Sequence, residues 1–179
     1  MTAIDVPTRE QVSPENQAIF DKLQTGIGFV PNLYAVFAHS DHALGNYMAL
    51  QAGASSLDMR AREVVVLGVS QVNNCLYSLS AHTAIARKAG FTDEQILELR
   101  RGTASFDAKL DALARFVRGT TVDRGHIDPA LLANFMAAGF TKANLVDTMM
   151  VIGDRTITSL LYNVTQVPLD FPAAVALPE

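Results

Sequence analysis

The sequence contains one cysteine and no run of basic residues, and each of these scarcities argues against a class of protein. A single cysteine, Cys75, cannot form a disulfide within the chain, which agrees with a reducing compartment. The formal net charge of −4, without clustered Lys and Arg, lacks the electrostatic footprint of a protein that binds a phosphate backbone. We therefore expect no nucleic-acid partner.

Long apolar segments and a secretory leader are also missing. No apolar run approaches the roughly 20 residues that span a bilayer, and the N-terminal sequence has no basic segment followed by an apolar one. We expect a cytoplasmic protein without a membrane partner. Hydrophobic residues nevertheless make up 49% of the chain against 18% charged residues, and this apolar surplus favours a homo-oligomer with an apolar interface.

Helix signals recur along the chain, whereas sustained alternation of apolar and polar residues is scarce. Ser13 before Pro14, Asp58, and Thr92 three residues before Gln95 are predicted helix caps. The Val-rich segment after Asp58 has strand propensity, but its charged start and its length favour a helix. The sequence predicts an all-α fold in one domain over residues 1–179.

Two segments of the chain are similar to each other. "AGFTDEQILEL" begins at Ala89 and "AGFTKANLVDT" begins at Ala138, and each places a glycine stop before a threonine start. The two segments can reflect an internal helix–turn–helix duplication, or independent use of the same turn. The second segment has no counterpart of the cysteine and histidine discussed next.

The stretch "NNCLYSLSAHT" holds the candidate chemistry. On a helix that begins near Cys75, the side chains of Ser78 and His82 lie on the same face as the thiol, because residues three, four and seven apart are neighbours. Asn73 or Asn74 is the predicted cap, which places Cys75 in the first turn. There the helix dipole and the unpaired N–H groups favour a thiolate.

A carboxylate on the preceding helix can orient the histidine, and Glu63 is the candidate. Glu63, His82 and Cys75 would then form a proton relay from acid to base to nucleophile. Each residue also has a simpler interpretation, since a lone cysteine is commonly an inert buried side chain. The same three residues could bind a metal, but the seven-residue spacing from Cys75 to His82 matches no common zinc signature. We expect neither a metal nor a cofactor.

Taken together, these residues resemble the carboxymuconolactone decarboxylase superfamily and, within it, the alkylhydroperoxidase AhpD-like branch. The hallmark of that branch is a glutamate, a Cys-x-x-Cys twelve residues on, and a histidine four residues after the second cysteine. Glu63, Cys75 and His82 occupy those positions, and the similarity is strongest over residues 58–96. The resemblance implies an all-α fold, a homo-oligomer (a trimer, a dimer or a hexamer), a small-molecule peroxide or thiol substrate, and an external thiol reductant.

Ser78 is the departure from that pattern, because it stands where the branch has its second cysteine. In the dithiol members both sulfurs take part, through a sulfenic acid that condenses to a disulfide. Serine cannot form that disulfide. Two interpretations fit the sequence: a natural one-cysteine relative, or a Cys-to-Ser variant of a dithiol parent.

Three functions are therefore open at the level of sequence. The first is a thiol-dependent peroxidase-like oxidoreductase in which Cys75, His82, Glu63 and Ser78 form the catalytic site. The second is a cofactor-free decarboxylase or lyase that uses acid and base residues without the thiol. The third is a non-catalytic oligomeric binding protein on the same fold.

Overall fold

The computed structural model describes residues 4–177. Within these residues the chain forms α-helices and one short 3₁₀ helix, Arg9–Gln11, and contains no strand, which confirms the all-α prediction. The α-helices are α1 Pro14–Ile27, α2 Asn32–Phe37, α3 Ala43–Ala52, α4 Met59–Val72, α5 Leu76–Lys88, α6 Asp93–Arg101, α7 Ala108–Val122, α8 Pro129–Ala137 and α9 Lys142–Thr165. None of the helices within residues 4–177 is long and apolar enough to cross a membrane.

The predicted caps start their helices. The side chain of Ser13 accepts a hydrogen bond from the Asn16 N–H at the start of α1, and Asp58 accepts one from the Ala61 N–H at the start of α4. These bonds satisfy N–H groups that have no partner inside a helix. The Val-rich segment after Asp58 is therefore helical, as its charged start predicts.

By its internal contacts the chain divides into two compact units. The first contains the described residues up to Ala54 together with Leu161–Asp170. Its apolar core contains the buried side chains Val12, Phe20, Ala35, Ala38 and Leu44. The second contains Ser55–Leu160 and the described residues from Phe171 onward. The single domain expected over residues 1–179 stays a prediction.

Helix α4 is the centre of the second unit. It packs against α5, α6 and α7, and the side chains from Val64 to Leu67 are almost fully buried. Gly68 lets α7 approach closely, since a Cβ there would lie 3.2 Å from a methyl carbon of Val117. Because α4 is enclosed on several sides, its side chains, including that of Glu63, are held in fixed positions.

The two similar segments form turns of the same geometry. Gly90 and Gly139 both adopt left-handed backbone, with φ of 87° and 89°. In both segments the threonine caps the next helix: Thr92 bonds reciprocally with Gln95, and the side chain of Thr141 accepts a hydrogen bond from a backbone N–H three residues later. The predicted turn is confirmed at both places, and the duplication behind it stays a prediction.

Candidate functional site

Helices α4 and α5 bring together the predicted carboxylate and histidine. His82 Nδ1 lies 2.9 Å from Glu63 Oε2. Glu63 is buried on the enclosed face of α4, with only 4% of its surface exposed. His82 is on α5, and 16% of its side-chain surface is exposed. A carboxylate that is buried and bonded to the ring fixes its orientation, as the sequence predicts.

The turn between α4 and α5 differs from the prediction. Cys75 is itself the cap residue, and α5 begins at Leu76, so neither Asn73 nor Asn74 caps the helix. Asn74 adopts left-handed backbone with φ of 53°, and the Cys75 N–H is bonded to the Ser70 carbonyl at 2.9 Å. The left-handed conformation of Asn74 turns the chain between α4 and α5. The helix α5 therefore begins after the cysteine.

The thiol and the serine are in direct contact. Cys75 Sγ donates a hydrogen bond to Ser78 Oγ over 3.2 Å, and both side chains are buried. The two side chains are therefore as close as their helical spacing predicts, and the serine hydroxyl lies directly beside the thiol. A hydroxyl 3.2 Å from the sulfur can accept the thiol proton and can also donate to a thiolate.

A residue that the sequence interpretation missed completes the histidine's environment. Arg155 Nη1 on α9 lies 3.0 Å from His82 Nε2. Arg155 is 4% exposed and bonds its neighbour Asp154 through Nη2 at 2.7 and 2.8 Å. Arg62 Nη2 lies 4.0 Å from the same Asp154 carboxylate. The histidine is thus linked on one side to Glu63 and on the other to a buried ion pair.

These contacts determine which ring nitrogen carries the proton. Arginine can only donate, so His82 Nε2 must accept from Arg155, and His82 Nδ1–H must then donate to the Glu63 carboxylate. The ring is therefore neutral in this conformation. Its basic nitrogen faces a guanidinium, so a transfer of the Cys75 proton to that nitrogen requires Arg155 to move aside.

A signal for Arg155 is present in the sequence. From residue 148 to residue 166 the only charged residues are Asp154 and Arg155, adjacent to each other in an otherwise apolar or uncharged segment. Charged residues on such a helix are either exposed or paired and buried. The order of the two residues does not indicate that His82 is the third partner, because that contact joins positions 73 residues apart.

The four predicted site residues thus form two contacting pairs. Glu63 bonds His82, and Cys75 bonds Ser78, while both bonding positions of the His82 ring are occupied by Glu63 and Arg155. Both pairs use α5, where Ser78 and His82 are one turn apart. The geometry places a thiol and an oriented imidazole within two turns of α5, and α9 adds a buried guanidinium beside the imidazole.

Comparison with known proteins shows which family the central part of the chain is similar to. Residues 39–119, which include all four predicted residues, match the sequence model of the Carboxymuconolactone decarboxylase family. Comparison with the curated proteins finds no match. Two similar solved structures are described as uncharacterized peroxidase-related proteins. The one from Silicibacter sp. TM1040 is 26% identical with a TM-score of 0.82, over 93% of this chain and 91% of that chain.

The second, an alkylhydroperoxidase AhpD core protein from Ralstonia eutropha JMP134, is 19% identical with a TM-score of 0.84, over 94% of this chain and 92% of that chain. A cysteine-to-alanine variant of the debrominase Bmp8, in complex with 2,3,4-tribromopyrrole, is 12% identical with a TM-score of 0.77, over 95% and 92%. The fold is thus that of the AhpD-like proteins. The central part of the chain, residues 39–119, is similar to the carboxymuconolactone decarboxylase family.

Proposed function

We propose that the protein is a thiol-dependent, peroxidase-like oxidoreductase in which Cys75 is the redox-active residue. The observation that carries the proposal is the 3.2 Å contact between Cys75 Sγ and Ser78 Oγ, one helical turn before an imidazole oriented by Glu63. The peroxidase-related description of the Silicibacter protein supports it. The debrominase among the similar structures indicates that the fold also serves other chemistry.

The first step oxidises the thiol. The sulfur of Cys75 attacks the terminal oxygen of a hydroperoxide ROOH, the O–O bond breaks, and the products are Cys75–SOH and ROH. The thiol proton passes through Ser78 Oγ, which already accepts the Cys75 hydrogen bond, to His82 Nε2 once Arg155 has moved away from that atom. His82 then gives the same proton to the departing RO⁻, which leaves as ROH.

Reduction then requires an external thiol, because Ser78 cannot form a disulfide with Cys75. A small-molecule thiol R′SH condenses with Cys75–SOH to give Cys75–S–SR′ and water. A second R′SH attacks the mixed disulfide, which restores the Cys75 thiol and releases R′SSR′. The balanced reaction is ROOH + 2 R′SH → ROH + R′SSR′ + H₂O.

Burial favours a small oxidant. Cys75 has no exposed surface, and the neighbouring Tyr77 on α5 is 4% exposed and contacts the Phe171 ring edge-on at 5.5 Å between centroids. The backbone N–H of Ala174 also donates to Ser80 Oγ at 3.0 Å. The segment that follows residue 170 therefore covers this part of α5. Hydrogen peroxide or a short alkyl hydroperoxide suits such a thiol better than a bulky substrate does.

An acid–base lyase is the second candidate, and one observation favours it. His82 retains 16% side-chain exposure, whereas Cys75 has none, so a substrate reaches the imidazole more readily than the thiol. In that reaction Glu63 and His82 would move a proton, and Arg155 would stabilise negative charge on the substrate. Cys75 would contribute only packing. A non-catalytic binding protein would neither reduce a peroxide nor move a proton on a substrate.

Peroxide treatment distinguishes these candidates. We expect hydrogen peroxide with a dimedone trap to label Cys75 in the unaltered protein, as measured by peptide mass spectrometry. We expect Cys75→Ala to lose peroxide consumption with a monothiol donor by a factor on the order of 100 or more, because the nucleophile is removed. Circular dichroism serves as the control for folding. No label on Cys75, or full peroxide consumption in Cys75→Ala, contradicts the thiol mechanism.

We also propose that the protein is a homo-oligomer assembled through α9. This helix has an unusual distribution, since its buried side carries polar residues such as Thr148, Asp154 and Ser159. Its outer side carries exposed apolar residues at helical spacing, which we call the α9 apolar stripe: Val146, Met149, Met150, Ile157 and Leu160. An exposed apolar stripe of this length is typical of a surface that another chain covers.

Substitution in the α9 apolar stripe tests the assembly. Leu160 is 62% exposed, and we expect Leu160→Glu to raise the dissociation constant of the oligomer at least ~10-fold, because a charge would lie in an apolar interface. Light scattering coupled to size exclusion measures the mass. The matched control is Leu132→Glu, an exposed leucine on α8 outside the stripe. A monomeric unaltered protein, or equal effects of the two variants, contradicts the proposal.

A further inference from the structure

A second cluster of functional side chains lies outside the site described above. Three arginines line one pocket of about 440 Å³: Arg100 and Arg101 at the end of α6, and Arg118 on α7. A cavity of this size accommodates a small molecule. Within residues 4–177, no aspartate or glutamate forms an ion pair with any of the three. The chain as a whole carries a net negative charge, so its composition does not explain this local cluster of positive charge.

Arg100 shows that the cluster is built into the fold. It is 4% exposed, and its Nε donates to Gln71 Oε1 at 2.9 Å while its Nη1 donates to the Val175 carbonyl at 2.7 Å. Both partners are neutral. Burial, followed by the nearby charge of Arg101, lowers the pKa of the Arg100 guanidinium. A buried cation with only neutral partners is costly, and a bound anion offsets that cost.

A glycine at the end of α6 lets the Arg118 side chain pack closely against that helix. Gly102 ends α6 in left-handed backbone with φ of 84°, and a Cβ there would lie 2.4 Å from Arg118 Cδ. The missing side chain lets the Arg118 stem pack directly over the helix end. This packing brings a third guanidinium to two others, although like charges repel at short distance. Cations at a helix C-terminus are common because they complement the dipole, but that accounts only for the two on α6.

The polar side chains of the pocket are donors. Gln71 Oε1 is occupied by Arg100 Nε, so the Gln71 amide must direct its NH₂ group elsewhere, and arginine has no acceptor. The remaining lining residues are apolar: Val72, Val122 and Leu177. A ligand that fits this wall has a multiply charged oxyanion at one end and an apolar body at the other. Guanidinium groups match phosphate oxygens in both charge and geometry.

We propose that the pocket lined by Arg100, Arg101 and Arg118 binds a small phosphate monoester with an apolar substituent. This site is independent of Cys75 and does not rest on the redox chemistry proposed above. Its phosphate contacts come from α6 and α7, and its apolar contacts come from α4, α7 and Leu177.

Isothermal titration calorimetry with phenyl phosphate tests the proposal. We expect saturable binding to the unaltered protein, and we expect Arg101→Gln and Arg118→Gln each to weaken it by about 10-fold or more, because each removes a charge-assisted contact. Both residues are exposed, so these variants retain the fold, which thermal unfolding checks. The matched control is Arg87→Gln, which removes an equal charge from a surface pair with Asp93.

Three further titrations identify what is recognised. Inorganic phosphate should bind more weakly than phenyl phosphate, and benzoate and phenol should bind more weakly still. Equal binding of phenol would overturn the choice of an anion, and equal binding of benzoate would overturn the choice of a phosphate. Absence of binding to the unaltered protein, or equal weakening by Arg87→Gln, overturns the proposal.

Discussion

Ser78→Cys is expected to form a disulfide with Cys75 and to gain peroxidase turnover with a dithiol donor. The sulfur of Cys75 already lies 3.2 Å from Ser78 Oγ, so a sulfur at that position starts within reach of the ~2.05 Å disulfide bond. The sulfenic acid at Cys75 would then be resolved within the chain. An intramolecular partner acts at a far higher effective concentration than a free thiol, so we expect dithiothreitol-driven turnover to rise at least ~10-fold.

The measurement has two readouts. Peroxide consumption reports turnover, and thiol titration after peroxide treatment reports whether both cysteines disappear together. Ser80→Cys is the matched control, because it adds a thiol to the same helix, and the Ser80 hydroxyl bonds the Leu76 carbonyl and not the Cys75 sulfur. The redox assignment of Cys75 is contradicted if Ser78→Cys keeps two free thiols under peroxide, or if Ser80→Cys gains the same turnover.

Asp154→Asn is expected to destabilise the protein by about 3–5 kcal/mol, because it leaves the Arg155 charge buried without its carboxylate. Both residues are at most 4% exposed, and the guanidinium bonds both carboxylate oxygens. The same change loosens the guanidinium that holds His82 Nε2. Urea unfolding followed by circular dichroism measures the free energy of unfolding.

Two comparisons isolate the charge as the cause. Asp21→Asn removes the carboxylate from the exposed Arg9–Asp21 pair, and we expect only a small effect because water screens that pair. The double variant Asp154→Asn/Arg155→Gln removes both buried charges, so we expect it to recover much of the lost stability. A double variant no more stable than Asp154→Asn alone would show that packing, and not charge, causes the loss.

The helices, and the pairing of Glu63 with His82, could be predicted because their signals are local. Ser13, Asp58 and Thr92 cap helices through residues three positions away, and such bonds depend little on the rest of the fold. The pairing of Glu63 with His82 followed from the resemblance and from two helices joined by a short turn. The cap at Asn73 or Asn74 was wrong, because a left-handed Asn74 moves the helix start to Leu76.

The sequence by itself predicted which residues of α4 and α5 lie together, since helical spacing and short turns fix neighbours along the chain. Only the tertiary structure decided what surrounds those residues. It places Arg155 of α9 on the basic nitrogen of His82, encloses Cys75 completely, and gathers the arginines of α6 and α7 around one pocket. These contacts join residues that are distant along the chain, and no local pattern encodes which distant helix packs against which. Their geometry follows from how the buried faces fit together, which is a property of the whole core.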